Sequence, residues 1–272
     1  MMGFAPTGAT GLFPVVGDPI TQVKSPSVLT RILLERGEDA VVVPMRVASA
    51  KLTGLFDALK CVQNVGGALV TVPHKQDAYA LCSSHTERAN FVEAVNVMRR
   101  SDAGWHGDNT DGIGYLEGIA REGGSVKGRR VLLVGCGGAG SAIALEILER
   151  GADQLAIHDI DVTRRDSIID KLLTRFPGRV VVGDADPTGF EVVANATPLG
   201  MEPDDPLPID VAKLQPSQFV ACVVTKPKIP PLIAEARRLG CQTMTGATMF
   251  DAQAETLVDF LLGAGNPGAT VE

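Results

Sequence analysis

The sequence predicts an α/β fold with two separate, mostly parallel sheets. Short runs of aliphatic and β-branched residues alternate with segments of helical periodicity, which is the pattern of βαβ units. A glycine-rich turn at 135–140 stands between one such run and a helix. The last segment, 247–262, has the pattern of a long amphipathic helix without a partner strand, and we expect it to return to the first domain.

The glycine-rich turn and its flanks predict a Rossmann dinucleotide-binding unit. Residues 131–134 form an apolar run without alternation, which is typical of a strand covered on both faces of a parallel sheet. In G-x-G-x-x-G, the first glycine permits the turn, the second lets the backbone approach a pyrophosphate, and the third lets the helix pack on the strand. The residues predicted to bind the cofactor here are Gly135, Gly137, Gly138, Ala139 and Gly140. A glycine-rich turn without a ligand is the alternative.

An acidic residue follows the next predicted strand. Asp159 lies 24 residues after Gly135, close to the distance expected for a carboxylate that accepts hydrogen bonds from the adenosine ribose. A carboxylate there repels a 2′-phosphate, so the sequence predicts NAD over NADP. Arg164 and Arg165 are counter-evidence, because they could pair with a phosphate. The alternative for these arginines is a solvated helix start.

The composition limits the class of protein. A length of 272 residues allows two domains, and the 45% hydrophobic content is that of a folded chain. The net charge of −7 argues against a nucleic-acid partner. Five widely spaced cysteines, never in a C-x-x-C pair, predict neither disulfides nor a metal site. The longest uncharged run, 131–145, is too short to span a bilayer, so we expect a cytoplasmic protein without a membrane partner.

The remaining elements follow from local patterns. Strands are predicted at 12–16, 40–45, 67–72, 94–100, 105–108 and 155–158, and near residues 180, 192 and 219, with 94–100 and 105–108 paired as a hairpin. Helices are predicted after Pro26 and at 48–59, 115–121 and 231–239. Ser25 is the predicted N-cap of the first helix. The passage 107–114 is polar and glycine-rich, and we expect it to lie outside the core. It marks the predicted boundary between a substrate domain, 1–111 with 247–272, and a cofactor domain, 112–246.

Two residues in strand-end loops are candidates for catalysis. Open α/β sheets bind ligands beyond the carboxyl ends of their strands, and such loops carry Lys75 and Asp111. Hydride transfer from an alcohol to nicotinamide needs one group that exchanges the hydroxyl proton, and a lysine held by a carboxylate suits this role. A surface charge and a helix N-cap are the alternatives. The spacing alone does not show that the two residues meet.

Seven motifs make the chain similar to the shikimate and quinate dehydrogenase family. In order they are GDPI…KSP at 17–26, VTVPHK at 70–75, EAVNV at 93–97, GDNTDGIG at 107–114, GCGGAGSA at 135–142, NATPLGM at 195–201 and GATMFDAQ at 246–253. The resemblance implies that Lys75 and Asp111 form the catalytic pair. It implies that the substrate-binding residues are Ser25, Thr71, Asn96 and Gln253. It also implies that the nicotinamide side of the cofactor contacts Asn195, Thr197, Met201 and Gly246.

Several positions depart from the family pattern. Gln22 and Val23 replace a His-Ser pair, and Leu69 replaces an asparagine. Thr225 replaces a tyrosine and Pro230 a threonine. Each lost hydrogen bond to a charged group costs roughly 1.5–3 kcal/mol, about ten- to a hundredfold in affinity. We therefore expect a divergent member with weaker, different or broader substrate choice.

The cofactor loop departs as well. Asp159-Ile160-Asp161 replaces the Asn-Arg-Thr that receives a 2′-phosphate in biosynthetic members, and this resembles the NAD-using branch. Asp161 either shares the ribose contact or is a solvated loop carboxylate. Cys136 is interpreted as a small residue that faces the sheet.

The favoured hypothesis is an NAD-dependent dehydrogenase for a ring hydroxy acid such as shikimate or quinate. A dinucleotide-binding regulator without turnover and a dehydrogenase for another ring hydroxy acid are alternatives. A methyltransferase with a similar glycine loop is disfavoured, because it leaves the lysine and aspartate loops unexplained. The sequence leaves open the reaction direction and the choice between monomer and homodimer.

Overall fold

The computed structural model describes residues 5–263, which form two compact units. The first unit comprises residues 5–110 and 254–263, and the second comprises residues 111–253. The assignment of a substrate role to one unit and a cofactor role to the other stays a prediction. Residues 264–272 of the predicted substrate domain lie outside the described residues.

The first unit contains one mixed sheet. Its strands are β1 (Gly11–Gly17), β2 (Ala40–Arg46), β3 (Gly67–Val70), β4 (Ser84–His85), β5 (Val97–Ser101) and β6 (Gly104–Asp108). Its helices are α1 (Ser25–Glu35), α2 (Leu52–Leu59), α3 (Lys75–Leu81) and α4 (Glu87–Val92), with a 3₁₀ turn at Ser49–Lys51 before α2. The strand order is β2-β1-β3-β5-β6-β4, and β1 runs parallel to both of its neighbours. The predicted hairpin is confirmed, because β5 pairs antiparallel with β6.

Strand direction brings several loops of the first unit to one edge of its sheet. β3 and β6 are each antiparallel to β5, so β1, β3 and β6 end at the same edge, where β5 begins. Between α2 and the sheet, the ring of Phe56 meets that of Trp105 on β6 edge to face, with centroids 5.8 Å apart. The predicted polar loops that follow β1, β3 and β6 and precede β5 therefore all lie at this one edge of the sheet.

The second unit contains one fully parallel sheet. Its strands are β7 (Arg130–Val134), β8 (Gln154–His158), β9 (Val180–Val182), β10 (Val192–Asn195), β11 (Phe219–Cys222) and β12 (Gln242–Met244). Its helices are α5 (Asp111–Arg121), α6 (Gly138–Glu149), α7 (Val162–Arg175) and α8 (Pro231–Arg238), with a 3₁₀ turn at Val211–Lys213. The strand order is β12-β11-β10-β7-β8-β9. The order of strands therefore runs outward from β7 in both directions, and the switch point of this Rossmann-type sheet lies between β7 and β10.

The last helix, α9 (Gly246–Leu261), belongs to both units. Its residues up to Gln253 lie in the second unit, and those from Ala254 lie in the first. In the first unit, Arg36 at the end of α1 donates to Asp259 at 2.7 Å. The predicted return of the last helix to the first domain is confirmed.

The passage 107–114 is buried, contrary to the prediction. The helix α5 begins at Asp111 instead of near residue 115. A Cβ on Gly112 would lie 2.4 Å from the carbonyl oxygen of Ala142, and one on Gly114 would lie 2.6 Å from Cβ of Gln253. These glycines therefore permit close packing of α5 on α6 and α9, and the polar residues before them are buried with hydrogen-bond partners.

The structure differs from the sequence predictions in two further respects. Lys24 is the N-cap of α1 without a side-chain cap bond, and Ser25 is the first helical residue. The short strands β4 and β12 and the helix α4 were not predicted, because each spans too few residues for a clear periodic pattern. Within residues 5–263, no helix is long and apolar enough to span a membrane.

Candidate active site

The glycine-rich turn lies at the switch point of the second sheet. Gly135 follows β7 with a φ of 91°, in the left-handed region that favours glycine. Ala196, directly after β10, donates its N–H to the carbonyl of Val134 at 2.8 Å. A Cβ on Gly135 would lie 2.7 Å from Cγ2 of Thr197. The predicted residues of the glycine turn and of the 195–201 loop therefore meet at the carboxyl ends of β7 and β10.

The glycines of the motif have different physical roles. A Cβ on Gly140 would lie 2.0 Å from the carbonyl oxygen of Gly135, so this position must lack a side chain for α6 to pack on β7. A Cβ on Gly137 would meet no atom within 4 Å. The helix begins at Gly138, followed by Ala139, and its first N–H groups face the turn. Open space at residue 137 beside a helix N-terminus suits a pyrophosphate.

Asp159 is a buried carboxylate at the end of β8. It accepts hydrogen bonds from the N–H groups of Cys136 at 2.8 Å and Asp161 at 2.9 Å, and from Arg164 Nη2 at 2.7 Å. Burial raises the pKa of this carboxyl, but the Arg164 guanidinium and the two N–H groups outweigh it and lower the pKa to about 2. Asp159 therefore stays ionised at neutral pH.

The residues after Asp159 make contacts that the sequence did not reveal. Arg164 is not simply a solvated helix start, because it pairs with the Asp159 carboxylate. Asp161 is the N-cap of α7 and accepts the N–H of Arg164 at 3.0 Å. A local cap and an ion pair thus connect the loop to α7.

Cys136 has a contact that sequence reasoning missed. In addition to its N–H, its Sγ donates to Asp159 Oδ2 at 3.3 Å. Burial and the neighbouring carboxylate raise the pKa of this thiol to about 12, so it remains a donor at neutral pH. A donor side chain between the first two glycines of the motif is the signal that could have identified this contact.

The loop after β10 is fixed by its own side chains. The Oδ1 atom of buried Asn195 accepts the N–H of Thr197 at 3.0 Å and its hydroxyl at 2.7 Å. Asp205 accepts the N–H of Gly200 at 2.9 Å, directly before Met201. A Cβ on Gly246 would lie 2.2 Å from the carbonyl oxygen of Val223, so α9 starts against the end of β11. The structure thus places the predicted nicotinamide-side residues at neighbouring strand ends.

In the first unit, hydrogen bonds connect the predicted catalytic lysine to the predicted substrate residues. Val95 donates its N–H to the carbonyl of Lys75 at 2.8 Å. The next residue, Asn96, accepts the N–H of Thr110 at 3.0 Å and donates Nδ2 to its hydroxyl at 3.2 Å. Thr71 donates its N–H to the carbonyl of Val16, at the same edge. These residues lie where β3 and β6 end and β5 begins.

Ser25 is buried at the start of α1, which follows the β1 loop. Among the described residues, its hydroxyl makes no hydrogen bond, so it is available to a ligand. Two of the family departures also lie in this unit. Leu69 is 4% exposed within β3 and belongs to the core, whereas Val23 is partly exposed in the loop.

Asp111 and Gln253 meet in the second unit. Both are 4% exposed, and Nε2 of Gln253 donates to Oδ1 of Asp111 at 3.3 Å. Asp111 directly follows Thr110, which Asn96 holds. The pairing of Lys75 with Asp111 stays a prediction.

This chain is similar to known shikimate and quinate dehydrogenases. Residues 15–98 match the family model of the shikimate dehydrogenase substrate binding domain. A shikimate dehydrogenase (NADP(+)) from Rhodospirillum rubrum is 33% identical over 270 residues, covering 96% of this chain and 91% of its own length. A crystal structure of shikimate dehydrogenase in complex with NADP+ has a TM-score of 0.88 at 25% identity, covering 97% of this chain and 93% of its own. Quinate dehydrogenase from Corynebacterium glutamicum in complex with NAD has a TM-score of 0.81 at 28% identity, covering 93% of this chain and 94% of its own.

Substitution of two glycines separates packing from ligand binding. Gly140→Ala is expected to lower the free energy of unfolding by about 1–3 kcal/mol, because its Cβ overlaps a backbone carbonyl. Gly137→Ala is expected to leave this free energy within about 0.5 kcal/mol, yet to weaken dinucleotide binding at least about tenfold by blocking the phosphate approach. Urea denaturation and calorimetric titration with NAD measure the two effects. Equal stability of both variants would contradict the assigned roles.

Proposed function

The chain belongs to the shikimate dehydrogenase family, and we propose that it transfers a hydride between NAD and a cyclic polyhydroxy acid such as shikimate or quinate. In the oxidative direction, shikimate and NAD would give 3-dehydroshikimate, NADH and a proton. We place the reaction in the cytoplasm, because none of the five cysteines is in a disulfide.

One observation carries this proposal: polar groups converge at one edge of the first sheet. The Lys75 backbone is bonded to Val95, and the adjacent Asn96 holds Thr110, the residue before Asp111. The loop that ends at Lys75 and the residues that lead to Asp111 are thus both hydrogen-bonded to the segment 95–96, which supports a shared role for the lysine and the aspartate. Such an arrangement suits exchange of a proton with a substrate hydroxyl.

The proposed roles follow from the chemistry of each side chain. When bound, the nicotinamide ring accepts the hydride from the substrate carbon that bears the hydroxyl. In the oxidative direction the neutral amine of Lys75 takes the hydroxyl proton and becomes an ammonium, and Asp111 orients the lysine and the hydroxyl. Gln253 holds the Asp111 carboxylate through its amide. The remaining substrate contacts are assigned to Ser25, Thr71 and Asn96.

We also propose that NAD is preferred over NADP. We assign the Asp159 carboxylate to the ribose end of the site, and because it stays ionised it disfavours a 2′-phosphate. Arg164 partly neutralises that carboxylate, so the preference is of moderate size. The names of curated relatives favour NADP, and the difference rests on the residues at 159–161 of this chain.

The substrate choice is proposed to differ from that of an efficient biosynthetic enzyme. Val23 is partly exposed near Ser25 and provides no hydroxyl for a substrate carboxylate. Leu69 packs in the core, so its replacement of an amide alters the sheet interior more than the pocket. We therefore propose retained redox chemistry with weaker, different or broader recognition of ring acids.

Turnover with a ring acid tests the proposal. The protein is expected to form NADH from NAD with shikimate or quinate, measured by the absorbance of the reduced nicotinamide. Lys75→Met is expected to lower kcat by about 10²–10⁴-fold while NAD binding is unchanged, because only proton exchange is lost. Lys51→Met, at an exposed lysine, is the control. Cofactor binding without turnover of either acid would support a regulator instead.

Two substitutions should move the cofactor preference in opposite directions. Asp159→Asn removes the carboxylate that Arg164 contacts at 2.7 Å and leaves the guanidinium only its longer contact with Asp161 at 3.8 Å. The guanidinium is then more available to a 2′-phosphate, so kcat/KM for NADP relative to NAD is expected to rise about tenfold. Arg164→Gln removes the cation and leaves the carboxylate, so this ratio is expected to fall. Arg165→Gln is the control, since Arg165 pairs with Asp166 instead. If this ratio rises in both variants or falls in both variants, the electrostatic account is contradicted.

A further inference from the structure

A second carboxylate lies near the predicted catalytic aspartate. Asp108 is the last residue of β6, three positions before Asp111, and its side chain is 0% exposed. A buried carboxylate is costly unless hydrogen-bond donors surround it. The roles proposed above do not use this residue.

Donors from α4 and its N-cap surround this carboxylate. Its Oδ1 accepts the hydroxyl of Thr86 at 2.5 Å and Nε of Arg88 at 2.7 Å. Its Oδ2 accepts Nη2 of the same arginine. The guanidinium thus binds both carboxylate oxygens in a bidentate geometry that lysine cannot reproduce.

The carboxylate in turn holds the backbone that leads to Asp111. Asp108 Oδ1 accepts the N–H of Asn109 at 2.7 Å, and the backbone carbonyl of Asp108 accepts the N–H of Asn96 at 3.0 Å. Asn109 donates Nδ2 to the carbonyl of Ala94 at 3.1 Å. The three residues before Asp111 are therefore fixed from both sides, and Arg88 is the only charged donor to this carboxylate among the described residues.

We infer that Arg88 is a positioning residue for the dehydrogenase reaction, acting through Asp108 and the Asn109 backbone to place the Asp111 carboxylate. This inference rests on the proposed function, since it assigns Asp111 a role at the reacting hydroxyl. Arg88 itself is 37% exposed at its side chain, and within residues 5–263 its side chain bonds to Asp108 and to no residue assigned to proton exchange. Small displacements of a catalytic group lower turnover strongly without a matching loss of cofactor binding.

The experiment uses the full chain with Arg88→Met and Arg88→Lys. Arg88→Met is expected to lower kcat at least about tenfold, while KM for NAD changes less than about twofold. Arg88→Lys keeps the charge but loses the bidentate contact, so its kcat is expected to lie between those of Arg88→Met and the wild type. Amide hydrogen exchange at residues 109–110 is expected to speed up at least about tenfold in Arg88→Met, and less in Arg88→Lys.

Arg175→Met is the matched control. The side chain of Arg175 on α7 is 38% exposed and pairs with Glu149 at 2.8 Å, so its loss removes an ion pair of similar exposure and none of the bonds that hold residues 108–110. The inference is overturned if Arg88→Met keeps kcat within about twofold, if exchange at 109–110 is unchanged, or if Arg175→Met lowers kcat equally. If Arg88→Met does not fold, the kcat and the amide exchange of Arg88→Lys are used instead.

Absence of turnover in the wild type would contradict the proposed function. Amide exchange at 109–110 would still show whether Arg88 holds this loop.

Discussion

The second unit depends on the contact between the carbonyl oxygen of Gly135 and the bare Cα of Gly140. A side chain at residue 140 would begin 2.0 Å from that oxygen, so the helix α6 can lie on β7 only without one. This close approach brings the helix N-terminus to the switch point of a parallel sheet. The Asn195–Thr197 loop from β10 lies on the other side, and Asp159 at the end of β8 accepts the N–H of Cys136 in the same turn. The proposed nucleotide site is therefore a consequence of backbone packing, with few side chains added.

The first unit is subject to a different constraint, because the polar residues Asn96 and 108–110 at its sheet edge are buried. Each buried polar group needs a partner, and the partners come from other loops at the same sheet edge. Asn96 bonds to Thr110 through both atoms of its amide, and Asn109 bonds to the carbonyl of Ala94. The loops are thus held by each other rather than by the core beneath them. This rigidity suits proton exchange, which requires fixed distances between donor and acceptor.

Local patterns predicted much of this fold, and nonlocal contacts account for what they missed. Gly37 and Gly151, which follow the ends of α1 and α6, have φ values of 84° and 87°, in the left-handed region that helix ends commonly use and glycine favours. The passage 107–114 was predicted outside the core because its partners lie 14 or more residues away, where no local pattern reveals them. The pairing of Arg164 with Asp159 was likewise invisible, because two adjacent arginines at a helix start read equally well as solvated. The resemblance to a known family supplied the residue roles that spacing alone left open.

The central claim is that Lys75 and Asp111 act on one substrate hydroxyl as a pair, and a double-variant cycle tests it most directly. The value of kcat/KM for shikimate or quinate is measured for the wild type, Lys75→Met, Asp111→Asn and the double variant. If the residues act together, the double variant is about as impaired as the worse single variant, because the second substitution removes a contribution already lost. If the two losses multiply, as they do for independent sites, the two residues do not form a pair and the proposed mechanism is wrong.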